Sequence, residues 1–300
     1  MRPNKPSATA YLIARSTYFL SRDHAVGYLV PERSAELSLR FIQSRRRSGK
    51  ALERLANSKY FRVVASALER ATIPGIKLHY ALRKRYLEEI ARDALQGGIR
   101  QVVIVGAGFD TLALRLHESF PDSEFFEVDH PATQREKRLV AEKHVSPGSN
   151  LHFVALDLAR RNLEESLLAQ TRYRSRADTL FIAEGLLMYL APAEVDLLLQ
   201  FVRRSGLQSR IAFTFMETQK NGRIGFRRSS RLVDAWLRLR NESFKWGLSS
   251  EQAAGFLAER GFKLCEAVTA ETLRNKYLSS VRSKNLPLAE GECICVAESG

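Results

Sequence analysis

Cysteine is scarce in this chain: Cys265, Cys293 and Cys295 are the only three among 300 residues, and none has CxxC spacing. So sparse and odd a set excludes a disulfide framework and a cysteine zinc site. Its place in apolar C-terminal segments predicts buried free thiols. Long apolar runs are lacking too. The opening MRPNKPSATAYLIARS has no apolar core of signal-peptide length. The longest apolar stretch, 179–199, is broken by Glu184, Pro192, Glu194 and Asp196, and reads as a strand and a helix, not a membrane span. The expectation is a cytoplasmic protein with no membrane partner. Internal repeats, low-complexity tracts and long linkers are missing as well. Negative charge is outnumbered, 33 Asp and Glu against 47 Lys and Arg, for a net charge of +14. Such a surface favours anionic partners. The arginines are spread through helix-like segments, however, which weakens the case for nucleic acid.

What is present is a change of period along the chain. Residues 1–96 read as helical, with Leu37, Phe41, Leu52, Leu55, Leu68 and Ile76 facing a core and Arg45, Arg46, Arg47 and Lys50 solvated. Residues 78–96 form a strong amphipathic helix closed by Gly97-Gly98. Strand and helix alternate after it. Strands are predicted at 101–105, 125–129, 151–155, 179–183, 210–216, 262–268 and 292–297. Helices are predicted near 110–119, 132–144, 162–170, 192–205, 230–240 and 249–260. This is the pattern of an α/β, mostly parallel sheet covered on both faces. The last two strands lack a long helix between them (270–280 would be short), which suits a closing antiparallel strand. The Arg-, Gly- and Ser-rich segment 217–231 reads as a loop or lid.

The chemistry is concentrated at the strand ends. The first strand runs into Gly106-Ala107-Gly108, where a bare backbone can approach a ligand. The second ends about twenty residues on at Asp129, placed to accept from ribose hydroxyls. A dinucleotide fingerprint wants Gly or Ala at 111, but Thr111 stands there, preceded by Asp110, whose carboxylate would repel phosphates. That disfavours NAD and FAD and suits S-adenosyl-L-methionine, which carries a cationic amine and a sulfonium and no phosphate. Asp157 ends the third strand and would accept from the adenine amino group, with Leu158 on the ring. Glu184 ends the fourth and would neutralise the methionyl ammonium. Each acid has a plainer reading as the N-cap of the following helix.

Taken together, GAGFDTLALRL, FFEVDHP, ALDL and AEGLLMYL resemble the leucine carboxyl methyltransferase family and its bacterial S-adenosylmethionine-dependent O-methyltransferase relatives. The resemblance covers residues 78–200, more weakly beyond. It implies a class I methyltransferase (Rossmann-like) seven-stranded sheet of order 3-2-1-4-5-7-6, with an N-terminal helical cap over 1–96. The cofactor-binding domain would then be 97–300, with a substrate-facing insertion near 217–245. It further implies that Arg83 holds the cofactor's carboxylate, with Arg85 the fallback. Alone, Arg83, Lys84 and Arg85 would pass as a solvated helix face. Many bacterial relatives carry Arg directly after the Asp-Thr pair; here Leu112 stands there, and Arg115 is the substitute to test.

The expected reaction is methyl transfer to a carboxylate or hydroxyl of an anionic small molecule or peptide. Tyr189 and Glu184 lie nearest the expected methyl site and are the candidate catalytic groups; His130 and His152 are poorly placed. Arg227 and Arg228, with Arg223 and Arg231 beside them, are expected to bind substrate, against the plainer reading of a solvated charged run. Competing readings are an RNA methyltransferase, encouraged by the charge, and a non-catalytic scaffold. The Asn/Asp-Pro-Pro-aromatic motif of nucleobase amino-methylating enzymes is absent, and Glu184-Gly185-Leu186-Leu187 stands in its place. Oligomeric state is left open.

Overall fold

The computed structural model describes residues 6–31, 33–44, 58–145, 148–239, 242–278 and 284–300. The expectations for Arg45–Arg47, Lys50, Leu52 and Leu55 lie outside the described residues. Helices α1 (Ala8–Ser21), α2 (Ser34–Gln43), α3 (Lys59–Thr72) and α4 (Ile76–Gln96) precede the sheet. Then follow β1 (Gln101–Val105), α5 (Leu112–Leu116), β2 (Glu124–Asp129), α6 (Pro131–His144), β3 (Leu151–Ala155) and α7 (Leu163–Leu168). The rest comprises β4 (Thr179–Ala183), α8 (Pro192–Arg204), β5 (Arg210–Glu217), α9 (Arg231–Leu239) and β6 (Gly247–Leu248). It ends with α10 (Ala253–Ala258), β7 (Phe262–Val268), α11 (Ala270–Tyr277) and β8 (Glu292–Ser299).

The strand order is β3-β2-β1-β4-β5-β8-β7, with β6 pairing β5 to one side. Pairing is parallel except for β8, which runs antiparallel to both β5 and β7. The expected seven strands are therefore present in the expected order. The correction is an eighth, the two-residue β6, too short to carry any periodicity. It pairs in parallel with Met216 and Glu217 at the end of β5. A Cβ on Gly247 would come within 2.8 Å of the Met216 carbonyl oxygen, so only glycine permits that approach.

Alternate residues of each strand feed two apolar layers, as a sheet covered on both faces requires. Val102, Ile104, Phe125, Leu180 and Ile182 pack with α4 through Leu82, Tyr86, Leu87 and Ala91. Val103, Val105, Phe126, Phe181 and Phe213 pack on the other face with α7, α8 and α10. Helix α4 thus shares its core with the sheet. Helices α1 and α2 instead make a smaller cluster around Phe109, which meets Tyr11 edge-on at 4.6 Å and stacks on Phe41 at 5.0 Å.

Two burial expectations fail. Leu68 is 64% exposed, with Val63 and Val64 beside it on α3. Amphipathic spacing there reports a face and not what covers it. Cys265 is exposed, whereas Cys293 and Cys295 are buried. It sits on the edge strand β7, where a register shift between Leu264 and Glu266 breaks the ladder.

Candidate active site

The carboxyl ends of β1, β2 and β4 open into a cavity of about 300 Å³. Its floor is the turn after β1. Gly106 and Gly108 take left-handed φ values of 71° and 50°, which favour glycine. A Cβ at Gly106 would also close to 3.0 Å from Leu186. Asp129 terminates β2 and holds this turn: its Oδ2 accepts the Gly108 N–H at 2.6 Å, and its Oδ1 accepts the His130 N–H. Burial raises the Asp129 carboxyl above its usual range, against those two backbone donors. A carboxylate accepts several hydrogen bonds, so capacity remains for ligand hydroxyls. Sequence reasoning weighed Asp129 as a ligand group or an N-cap; His130 is the cap, and Asp129 instead fixes the backbone that the ligand would lie on.

Asp157 and Leu158 form the adjoining wall with His130. His130 is the N-cap of α6 and accepts from Ala132 N–H, with Pro131 in the first helical turn. Asp157 receives the Ala159 N–H at 3.2 Å, but the cap of α7 is Asn162, so the capping role falls elsewhere. His152 stacks on Phe126 and contacts Glu124.

The opposite end is ionic. Arg83, on α4, is 2% exposed and sends Nε and Nη2 to Glu184 Oε1 at 2.9 and 2.7 Å. Lys84 Nζ lies 2.8 Å from Asp110 and 3.1 Å from Glu184. Burial alone would raise Asp110, yet Lys84 holds it well below the usual carboxylate range. Arg83 therefore meets the cavity, and Arg85 does not: Arg85 is directed to Glu89 on the helix exterior. Arg115 is also committed elsewhere, buried against Glu88 at 2.6 Å and Thr111. Lys84 was missed because three adjacent cations look solvated until the helix proves to be enclosed.

Tyr189, in the short turn after β4, lines the same cavity and packs against Phe244 at 5.6 Å. Burial pushes its hydroxyl far above the usual value. Residues Thr9, Ala10 and Ile13 of α1 and Glu242 and Lys245 before β6 complete the mouth. Thr9 donates to Glu242, joining the two sides.

Arg227 and Arg228 are not brought to this cavity. Arg227 forms an ion pair with Glu217 at 2.7 Å, near the end of β5. Arg228 lines a separate cleft of about 450 Å³ with Ile73, Phe226 and Arg274. The Arg231 side chain lies outside the described residues. The chain turns away after β5 through a bridge between Thr218 and Ile224, and the arginines follow it.

The sequence profile of the leucine carboxyl methyltransferase family matches residues 8–203, covering both α1 and the four strand ends. The chain belongs to the leucine carboxyl methyltransferase family. A protein of Mycobacterium bovis named "Putative S-adenosyl-L-methionine-dependent methyltransferase" is 39% identical over 134 residues, 44% of this chain. A protein of the same name from Mycobacterium avium is 42% identical over 128 residues, 41% of this chain. The matched stretch spans only 38% of the length of each. Among solved structures, a "putative methyltransferase" from Thermobifida fusca superposes with a TM-score of 0.56 at 17% identity. That similarity covers 87% of this family member and 94% of the other chain, and establishes the shared fold. Among the described residues of this leucine carboxyl methyltransferase family chain, no group of His, Cys, Asp and Glu is arranged to hold a metal. No described helix is long and apolar enough to cross a membrane.

Proposed function

We propose that the chain is an S-adenosyl-L-methionine-dependent O-methyltransferase acting on a carboxylate of a small molecule or peptide. One observation carries the reading: the Asp129-pinned glycine turn and the Arg83–Glu184 pair line one cavity. Adenosine would lie over Gly106–Gly108, with Asp129 at the ribose, Asp157 at the adenine amino group and Leu158 on the ring. Arg83 would take the amino-acid carboxylate and Glu184 the ammonium. A bound donor would supply an electrophilic methyl to the acceptor oxygen, the C–S bonding pair passing to sulfur, while Arg83, Glu184 and Asp129 would hold the donor in place. Holding the two reactants in line supplies much of the rate.

The acceptor class follows from what the protein can do with a proton. A hydroxyl acceptor needs a base with a pKa near the working pH. Burial pushes the Tyr189 hydroxyl far above its usual value, which disfavours it as a base, and the Glu184 carboxylate already accepts from Arg83 and Lys84. A carboxylate acceptor arrives ionised and needs neither. Lys245, exposed at the mouth, is the cation such an acceptor would meet.

An RNA acceptor is the weaker reading. Glu184-Gly185-Leu186-Leu187 stands where nucleobase amino-methylating enzymes carry Asn/Asp-Pro-Pro-aromatic, and the basic residues are spread through helices instead of gathered in one tail. Calorimetry with S-adenosylhomocysteine and NAD tests the proposal: binding of the first alone is expected. Binding of NAD alone overturns it, and binding of neither leaves the scaffold reading.

A further inference from the structure

The buried ionic end of the cavity continues behind Arg83 into groups that touch no ligand space. Glu292, the first residue of β8, is 2% exposed. Its two oxygens lie 2.5 and 2.7 Å from Arg83 Nη1. The His79 Nε2–H, one helical turn before Arg83, donates to the same carboxylate at 2.9 Å. Thr214 on β5 hydrogen-bonds to it as well, and its Oγ1 accepts the Gly185 N–H at 2.8 Å. These contacts close a ring through Arg83, Glu184, Gly185, Thr214 and Glu292. The Tyr80 ring lies under the guanidinium at 4.9 Å.

Such a ring fixes the plane and rotation of one side chain. Glu184 holds the Nε–Nη2 edge and Glu292 holds Nη1, so the donor left over is on Nη2. That nitrogen lies beside Gly185, where an added Cβ would stand 3.8 Å away. Both Arg83 and Gly185 line the cavity, so the leftover donor lies at its wall. Burial opposes charge on Glu292, but Arg83 and His79 outweigh it and hold the carboxyl down at about 2. A buried guanidinium with one of its two carboxylates removed would lose both orientation and compensation.

We propose that Glu292 and His79 are positioning residues that hold Arg83 in the orientation that receives the α-carboxylate of the methyl donor. The proposal rests on the donor reading given above. Glu292 lies beyond residue 203, where the family match ends, so the similarity does not assign it.

The test compares two nucleosides. S-adenosylhomocysteine carries the amino-acid end; 5′-methylthioadenosine keeps the adenosine and lacks that end. In calorimetry, Glu292→Gln is expected to weaken S-adenosylhomocysteine by about tenfold or more, the loss of a hydrogen bond to a charged group. Binding of 5′-methylthioadenosine is expected to stay within about twofold, because its contacts are remote from Arg83. Equal weakening of both ligands, or of neither, overturns the proposal. Should Glu292→Gln fail to unfold cooperatively, His79→Phe decides by the same ratio, since it withdraws one donor and leaves the ion pair. Failure of the wild-type protein to bind either nucleoside overturns the donor reading itself, a result distinct from an unchanged ratio in the variants.

Discussion

Lys137 Nζ lies 2.7 Å from a Glu127 carboxylate oxygen, and neither side chain is exposed. The pair is fully enclosed, so each charge depends on the other for compensation. Burial raises the Glu127 carboxyl to about 7 despite Lys137. A carboxyl whose folded value is raised contributes stability fully below its ordinary value, and loses it as pH rises through the folded one. Wild-type protein is therefore expected to lose denaturation midpoint between about pH 4.5 and 7 on account of this group. Glu127→Gln should flatten that slope in a urea series, and an unchanged slope would contradict the assignment. Lys137→Met, which leaves the acid alone, should cost about 3–5 kcal/mol above pH 7.

Asp129 carries two duties, so its removal should show twice. Asp129→Ala is expected to weaken S-adenosylhomocysteine by about 1.5–3 kcal/mol. The Gly108 amide, which donates to Asp129, should also exchange faster with solvent even without ligand, as hydrogen exchange can measure. Unchanged affinity would remove Asp129 from the ribose.

Tyr189 is expected to act as a donor and not as a base. Tyr189→Phe should lower kcat by no more than about tenfold, the scale of one neutral hydrogen bond. The pH profile between 6 and 9 should keep its shape. A lost basic limb in the variant would make Tyr189 the general base after all.

The cation that meets the acceptor is expected at the cavity mouth. With a panel of carboxylic acids as methyl acceptors, Lys245→Ala should raise KM by about fivefold, the scale of an exposed charge contact. Arg227→Ala with Arg228→Ala should leave both KM and donor affinity near wild type. A raised KM in the double variant would restore the segment after β5 to acceptor binding.

Much of the sheet was legible because both-face burial writes long β-branched and aromatic runs, as in QVVIV and TLFIA, bounded by glycine or acid. The strand-end acids Asp129, Asp157 and Glu184 were legible for the same reason: topology fixes which end of a parallel strand faces the ligand crevice. Arg83 became visible only through family resemblance. That it pairs with Glu184 was not foreseen, and its second carboxylate was not visible at all. Glu292 heads an apolar strand more than two hundred residues away, and nothing local distinguishes it from an ordinary strand-end acid. The exposure of Leu68 and the position of Arg227 away from the cavity have a complementary reason. Spacing and charge describe a segment's own surface, and whether anything meets that surface is decided by the path of the chain around it.

Because β8 follows all the other strands of the sheet in sequence, a ribosome must deliver every residue from Arg83 to Glu292 before Arg83 acquires its second carboxylate. Until then a guanidinium is enclosed with half its compensation. Nascent chains lacking β8 should consequently hold the donor more weakly, and the gain in affinity would mark the entry of β8 into the sheet.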